Sequence, residues 1–352
     1  MNLSSFASNL IIIFGCVLAL IFGKSLLFPF LFALLIYFLI RSIRRFIDKS
    51  RFIDKSSFVK DKIAAWFKNL IASLFIFSLI VFMGEMLVLN SQSLVKSFSF
   101  YQSNIDGIVA QTNDLFGIDI SKDITNALQK FQISTIINPL LNSITGFMGS
   151  FMMALFYLLF LFIEESNFKK KMLLVFSKPE KHAQIKELLN NIEHSITQYI
   201  GLKTLISFIS SVICFIAFLS FGIASPLLWA FIIFIMNFIP VIGALLAVTL
   251  PTLFAMIQFG DINYALILFF VLSTIQTIIS NILEPKLMGD SLNINPLVAL
   301  FALAFWGAIW GITGMIVSVP ITVILIILLA QFPKTKSIAI LMSHHGKISN
   351  KE

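Results

Sequence analysis

The sequence predicts an all-α, polytopic integral membrane protein with about eight transmembrane helices, interrupted or kinked in the C-terminal half. Three observations predict it: scarce charge, apolar runs of bilayer length, and basic residues gathered into a few connections. Only 12% of the 352 residues are charged while 58% are hydrophobic. A soluble domain carries about a quarter charged residues, because a water-facing surface needs them. The 39 Phe residues and a mean hydropathy of +0.97 point to lipid as the solvent. The formal net charge of +8 comes without a nucleic-acid reader motif, so no nucleic-acid partner is expected. The basic excess instead fits cytoplasmic loops facing anionic lipid.

A spanning helix needs about 20 mainly apolar residues. The runs of suitable character are 6–22, 26–40, 70–89, 147–163, 201–222, 227–250, 262–283 and 297–330. The first lacks the basic leader of a cleaved signal and is expected to be retained. Only Gly23-Lys24-Ser25 separates it from the second, so the pair reads as a tight helical hairpin. The last run is too long for one straight crossing, and Gly307, Gly311, Gly314 and Pro320 offer places to break. It is expected to be one kinked helix or a half-helix followed by a full span. Gly307 and Gly311 also have the spacing that lets two helices pack closely.

Orientation follows from Lys and Arg. The 41–62 loop, the 164–198 segment and the C-terminal tail are basic, and 90–146 is not. Eight crossings with both termini cytoplasmic satisfy this distribution, in a bacterial inner membrane. A hairpin within 297–330 would send the basic tail outside, so the charge pattern argues against one. The organisation expected is three spans in 1–89, an outer helical segment at 90–146, and a fourth span at 147–163. A cytoplasmic amphipathic segment at 164–200, a four-span core at 201–330 and a cytoplasmic tail at 331–352 complete it. Ser177-Lys178-Pro179-Glu180 reads as a helix start. Ile185, Leu188, Leu189, Ile192, Ile196, Tyr199 and Ile200 then form one apolar stripe, expected to pack on protein. In the basic loop the six residues Arg45-Phe-Ile-Asp-Lys-Ser50 are followed at once by a tandem copy, Arg51-Phe-Ile-Asp-Lys-Ser56, a duplication that a surface loop tolerates.

No catalytic constellation emerges. Gly23-Lys24-Ser25 lacks the upstream Gly of a phosphate-binding loop, since position 18 is Leu18. No HExxH or GxSxG motif occurs, and Cys16 and Cys214 sit singly in apolar runs. An enzyme, a cofactor and a metal centre are therefore not expected. Polar residues inside the apolar runs are the better guide, because hydrocarbon tolerates them only where they face protein or a water-filled path. Glu85 lies near the outer end of the third span. Asn237 precedes Pro240 and Gly243 in the sixth. Pro240 lacks an amide proton and disturbs a helix, and interrupted helices commonly build transporter sites near the bilayer centre. Gln276 and Asn281 lie in the seventh span, and Glu284-Pro285-Lys286 is expected to close it at its outer end.

Asn237-Phe-Ile-Pro240-Val-Ile-Gly243 resembles an N-x-I-P-x-x-G element. Asn281-Ile-Leu-Glu284-Pro285-Lys-Leu-Met-Gly289 resembles an N-x-x-x-P-x-x-x-G element. Asn293-Ile-Asn-Pro296 and the stretch Trp306 to Pro320 are similar to a Gly-rich segment before a final apolar run. In this order these are features of the autoinducer-2 exporter (AI-2E) family, the PerM-like permeases, and the resemblance covers about residues 195–330. It implies a transporter without ATPase parts, whose relatives carry autoinducer-2 or exchange sodium and protons. By carry-over, Asn237, Pro240 and Gly243 shape the interrupted sixth span, and Asn281, Glu284, Pro285 and Gly289 form the exit of the seventh. Together with Gln276 and Glu85 they are the candidate transport-path and coupling residues. Partners expected are lipid, a small-molecule or ion cargo and a second copy of the chain. A passive oligomeric channel and a non-transporting scaffold are the competing readings.

Overall fold

A computed structural model of the chain describes residues 3–49, 152–165, 179–289 and 294–344, with isolated positions between 78 and 175 and Gly346. The tandem repeat beyond Lys49, the Ser177 cap, Asn293, and most of the third span and of 90–146 lie outside the described residues. Among the described residues every regular element is helical. In chain order these are α1 (Leu3–Phe22), α2 (Lys24–Lys49), α3 (152–165), α4 (Pro179–Ser220), α5 (Pro226–Met236), α6 (Ile242–Phe259) and α7 (Ile262–Ile278). A π-helical turn (Ile279–Leu283) leads into α8 (Glu284–Met288), followed by α9 (Pro296–Trp310), α10 (Ile312–Ala330) and α11 (Lys336–Met342). Among the described residues five helical stretches are long and apolar enough to cross a bilayer: Lys24–Ile43, Ala183–Ser220, Ile242–Phe259, Ile262–Met288 and Ile312–Ala330. α5 and α9 are apolar but shorter.

The chain divides into two compact units. The first holds Met1–Phe75, Ser150–Gly201 and Asp290–Glu352; the second holds Ile76–Gly149 and Leu202–Gly289. α4 runs through both as one helix of 42 residues. The sequence reading divided it at residue 200 into an amphipathic helix and a span. It is helical from Pro179, the first described residue after 175, and Pro fits a first helical turn. Nothing between Pro179 and Ser220 stops it: there is no further Pro, and Gly201 is tolerated because its bare Cα is where α2 passes. A Cβ on Gly201 would lie 1.8 Å from Ser42 Oγ.

In the first unit, α1 and α2 do not form the expected side-by-side hairpin. Gly23 N–H donates to Ala19 O at 2.8 Å and Leu27 N–H to Gly23 O at 2.9 Å, so α-type bonds run into and out of Gly23. The Gly-Lys-Ser link carries no Pro and continues the helical path. Ile11, Ile12, Phe14, Ile21 and Phe22 are correspondingly exposed within this unit. The apolar stripe of α4 packs inward as expected, with Ile196, Tyr199 and Ile200 buried.

The long run 297–330 breaks at Gly311, whose φ of 64° and ψ of −145° suit only glycine. Here α9 and α10 double back on each other. A Cβ on Gly314 would meet Trp306 O at 1.9 Å, and one on Gly307 would meet Met315 Cε at 2.9 Å. At the open end Asn295 N–H donates to Met342 O at 2.9 Å, tying the start of α9 to the end of α11. Of the two expectations for this run, the break into a short helix and one of spanning length holds; the single kinked helix, and the charge argument against a hairpin, are corrected.

The second unit contains a matching fold-back. α5 and α6 are antiparallel: the Trp229 and Phe254 rings lie 5.1 Å apart, whereas 25 residues of continuous helix would separate them by about 37 Å. Their open end is bound together by one side chain. Gln258 Oε1 accepts from Ala224 N–H at 2.8 Å and its Nε2 donates to Gly222 O at 2.8 Å. Tyr264 Oη donates to Phe221 O at 2.7 Å, and Asn104 Nδ2 donates to Gln258 O at 2.8 Å. Asp261 caps α7 by accepting from Asn263 N–H. The core of this unit is Cys214, Phe218, Ile233, Ala247, Leu268 and Leu272, all fully or nearly fully buried. The opposite face of α4, with Phe208, Val212, Ile216 and Leu219, is exposed and apolar, as a lipid-facing surface must be.

Candidate functional site

The sixth apolar run turns back on itself rather than crossing with a kink. Asn237 ends α5, with its N–H donating to Ile233 O at 2.9 Å, while its Nδ2 is buried with no partner among the described residues. Pro240 cannot continue the helix, and Val241 turns the chain with φ 62° and ψ −62°. Ile242 N–H reaches back to Pro240 O at 2.6 Å, closing a three-residue γ-turn. That conformation is strained for a β-branched residue. Gly243 is required where α6 begins, because a Cβ there would lie 1.8 Å from Met236 O. Asn237, Pro240 and Gly243 thus build the tip of a helical hairpin, which corrects their expected role in an interrupted crossing.

This fold-back relocates Glu284. The sequence reading put Glu284 at the face opposite to the one where the crossing of α4 starts, because it counted 227–250 as a full crossing. In the structure Lys203, at the start of that crossing, is ion-paired with Glu284 Oε1 through its Nζ. Residues in contact share a membrane face, so the intervening α5–α6 segment contributes no net crossing between them.

The π turn makes the pairing possible. Residues 276 and 284 are eight apart, which on a regular α-helix leaves them about 80° out of line. The π turn absorbs one residue, so the pair behaves as if seven apart and returns to about 20° of one face. Its bond is Glu284 N–H to Ile279 O. Pro285, directly after, supplies a reason for the widened turn, since its ring would clash with the carbonyl four residues back in an α-helix. On α4, Lys203 and Ser210 are seven apart. Two rungs result: Lys203–Glu284, and Gln276 Nε2 donating to Ser210 Oγ at 3.2 Å. The Lys203 side chain is 7% exposed and that of Glu284 29%. Ser207 lies on the same face of α4 between the rungs and is fully buried.

Of the other candidates, Asn281 sits in the π turn and is exposed, as is Pro285. Gly289 ends α8 with φ 49°. Glu85 is helical and exposed. Gly307, Gly311, Gly314 and Pro320 belong to the α9–α10 hairpin of the first unit, with Gly314 and Pro320 buried. Sequence reasoning missed Lys203, Ser207 and Ser210. The available signal was a Lys followed at i+4 and i+7 by Ser inside an otherwise apolar run.

The first unit contains a second charged cluster. Arg41 on α2 pairs through Nη2 with Glu165 at the end of α3 and through Nη1 with Glu193 on α4. Its guanidinium lies 5.0 Å from the centre of the Tyr37 ring. This cluster joins three helices at one end, a fixing role to which Arg is suited by its planar fork.

A multi-pass α-helical membrane protein with doubled-back helices and a buried polar seam belongs to the class of membrane permeases. The chain is a member of the AI-2E transporter family, whose description it matches over residues 10–334. It is 34% identical over 262 residues to a transport-protein candidate of Borreliella burgdorferi, covering 73% of this chain and 71% of that one. It is 31% identical over 233 residues to the AI-2 transport protein TqsA of Escherichia coli K12, covering 66% of each. The motif resemblance at 237–243 and 281–289 pointed to this family, and the chain is a membrane transport protein of it.

Proposed function

We propose that this AI-2E protein is a secondary, non-enzymatic transporter that moves a small polar solute, with autoinducer-2 the first candidate, in exchange for or together with a cation. The observation that supports the reading is the charged and polar seam between α4 and α7–α8. Lys203, Ser207, Ser210, Gln276 and Glu284 lie on facing sides of two helices long enough to span the bilayer. Such groups inside spanning segments are retained where they serve a path or a coupling step. Glu284 is the coupling carboxylate and Lys203 its resident counter-charge. The 41–62 and 164–198 segments and the C-terminal tail face the cytoplasm of a bacterial cell, where their Lys and Arg favour the inner leaflet; the basic residues Arg41 to Lys49 extend α2 rather than opening a loop. Because 226–259 and 296–330 both double back, a hairpin in the last run leaves the tail on the cytoplasmic face. Lipid and a further copy of the chain are the surrounding partners.

The test is release of autoinducer-2 from proteoliposomes, with and without imposed proton or sodium gradients. Protein-dependent release that responds to a gradient is expected, with the response abolished by Glu284→Gln while the protein stays folded. Gradient-independent release would make the protein a passive channel. Absence of solute and ion flux would favour a scaffold.

A further inference from the structure

Four side-chain polar atoms of the second unit are buried with no partner among the described residues, and two of them, Ser207 Oγ and Gln276 Oε1, lie in the seam between α4 and α7. Ser207 is 0% exposed and Gln276 4%. Leaving a buried hydrogen-bonding atom unsatisfied is costly, and native interiors meet that demand with protein or with bound polar guests. Both residues belong to the seam. Ser207 stands one helical turn from Lys203 and shares a face of α4 with Ser210. Gln276 holds Ser210 through its amide nitrogen, which turns its carbonyl oxygen into an acceptor awaiting a donor.

The chemistry of the guest follows from these atoms. An amide oxygen only accepts, so the guest must donate a hydrogen bond or be a cation. A cation is disfavoured because Glu284, the carboxylate of the seam, is already paired with Lys203 and leaves Ser207 and Gln276 only neutral groups to offer. An anion offers nothing to the Gln276 oxygen. A neutral hydroxyl-type group satisfies Gln276 by donating and Ser207 by either donating or accepting. We propose that Ser207 and Gln276 form a binding site for such a group: a water molecule, or a hydroxyl of a polar solute during transport. The Lys203–Glu284 pair lies at one end of the same seam, so the guest connects the charged rung to the interior of the unit. The solute half of this proposal rests on the transport reading; the water half does not.

The experiment uses the full-length protein in nanodiscs, in a Cys16→Ser background that leaves Cys214 as its one thiol. Cys214 is fully buried on the same face of α4, one turn beyond Ser210. X-ray radiolysis in heavy-oxygen water reads whether water resides near it. Cys214 is expected to take up label, and Ser207→Ala/Gln276→Leu is expected to reduce that uptake about threefold or more by drying the seam. Thermal unfolding is read in parallel: removing an occupied site should leave the midpoint equal or lower. Unchanged label uptake in the double variant overturns the proposal, as does a raised midpoint, the mark of two unsatisfied groups removed. If that variant does not fold, Gln276→Met, of similar volume, is read in the same way. Adding autoinducer-2 separates the sources: protection of Cys214 assigns the site to a solute hydroxyl, and undiminished labelling assigns it to water. None of these readouts needs flux, so failure of the transport reading is seen separately in the proteoliposome assay.

Discussion

The Lys203–Glu284 pair makes an asymmetric prediction about stability. The Lys203 side chain is 7% exposed and that of Glu284 29%. Removing Glu284 strands an ammonium in a nearly closed environment, and breaking a buried pair in this way costs about 3–5 kcal/mol. Removing Lys203 strands a carboxylate with much more access to solvent, so the loss should be smaller, about 1–2 kcal/mol. Removing both leaves no buried charge, and well-packed apolar replacements of ion pairs are often neutral. Glu284→Met should therefore destabilise more than Lys203→Met, and Lys203→Met/Glu284→Met should recover to within about 1 kcal/mol of the parent. The implied coupling energy is about 3–7 kcal/mol, above the usual range for polar contacts between membrane helices. The assay is reversible unfolding in mixed micelles for all four proteins of the cycle. Additive single effects would refute the pairing, and a larger loss from Lys203→Met would refute the burial argument.

Other substitutions test the hairpins and the Arg41 cluster. Gly314→Ala drives a Cβ into the Trp306 backbone carbonyl and should cost about 1–3 kcal/mol, whereas Gly307→Ala meets the flexible end of Met315 and should cost less than about 1 kcal/mol. Equal thermal shifts for the two would contradict the packed α9–α10 arrangement. Val241→Gly removes a β-branched residue from a positive φ and should raise stability by about 1 kcal/mol, read from the unfolding midpoint. A loss instead would show that the Val241 turn is not strained. Arg41→Lys keeps the charge but not the two-armed fork that holds Glu165 and Glu193. It should destabilise by about 1–3 kcal/mol, with Glu165→Gln adding little on top; full additivity would show the contacts to be independent.

What was legible in the sequence was whatever depends on composition and length. The helical membrane class followed from charge scarcity and run lengths. The family was recognised from the motifs, but their geometry was not legible. A Pro and a Gly inside an apolar run signal a break without saying how far the chain turns afterwards. Whether the run kinks or reverses is decided by contacts such as Trp229 on Phe254 and Gln258 on Gly222 and Ala224, which join residues distant in sequence. The same limit produced the misplaced Glu284, since one miscounted crossing inverts everything after it. The Gly23-Lys24-Ser25 link was read as a turn because it is polar and short, yet helical hydrogen bonds pass through it. Lys203 was overlooked because a Lys near the end of an apolar run normally reaches the interface, whereas here it is buried and paired with Glu284 on a neighbouring helix.

The central claim is that 226–259 doubles back, so that α4 and α7–α8 bring Lys203 and Glu284 together at one membrane face. Cysteines placed at these two positions, in a chain otherwise free of Cys16 and Cys214, test it by oxidative cross-linking in native membranes. The account predicts a Lys203→Cys/Glu284→Cys disulfide within a single chain, formed readily under mild oxidation, and labelling of both single-cysteine variants from the same side of the membrane. Labelling from opposite sides, with no intramolecular disulfide, would show that 226–259 crosses the bilayer and would contradict the account.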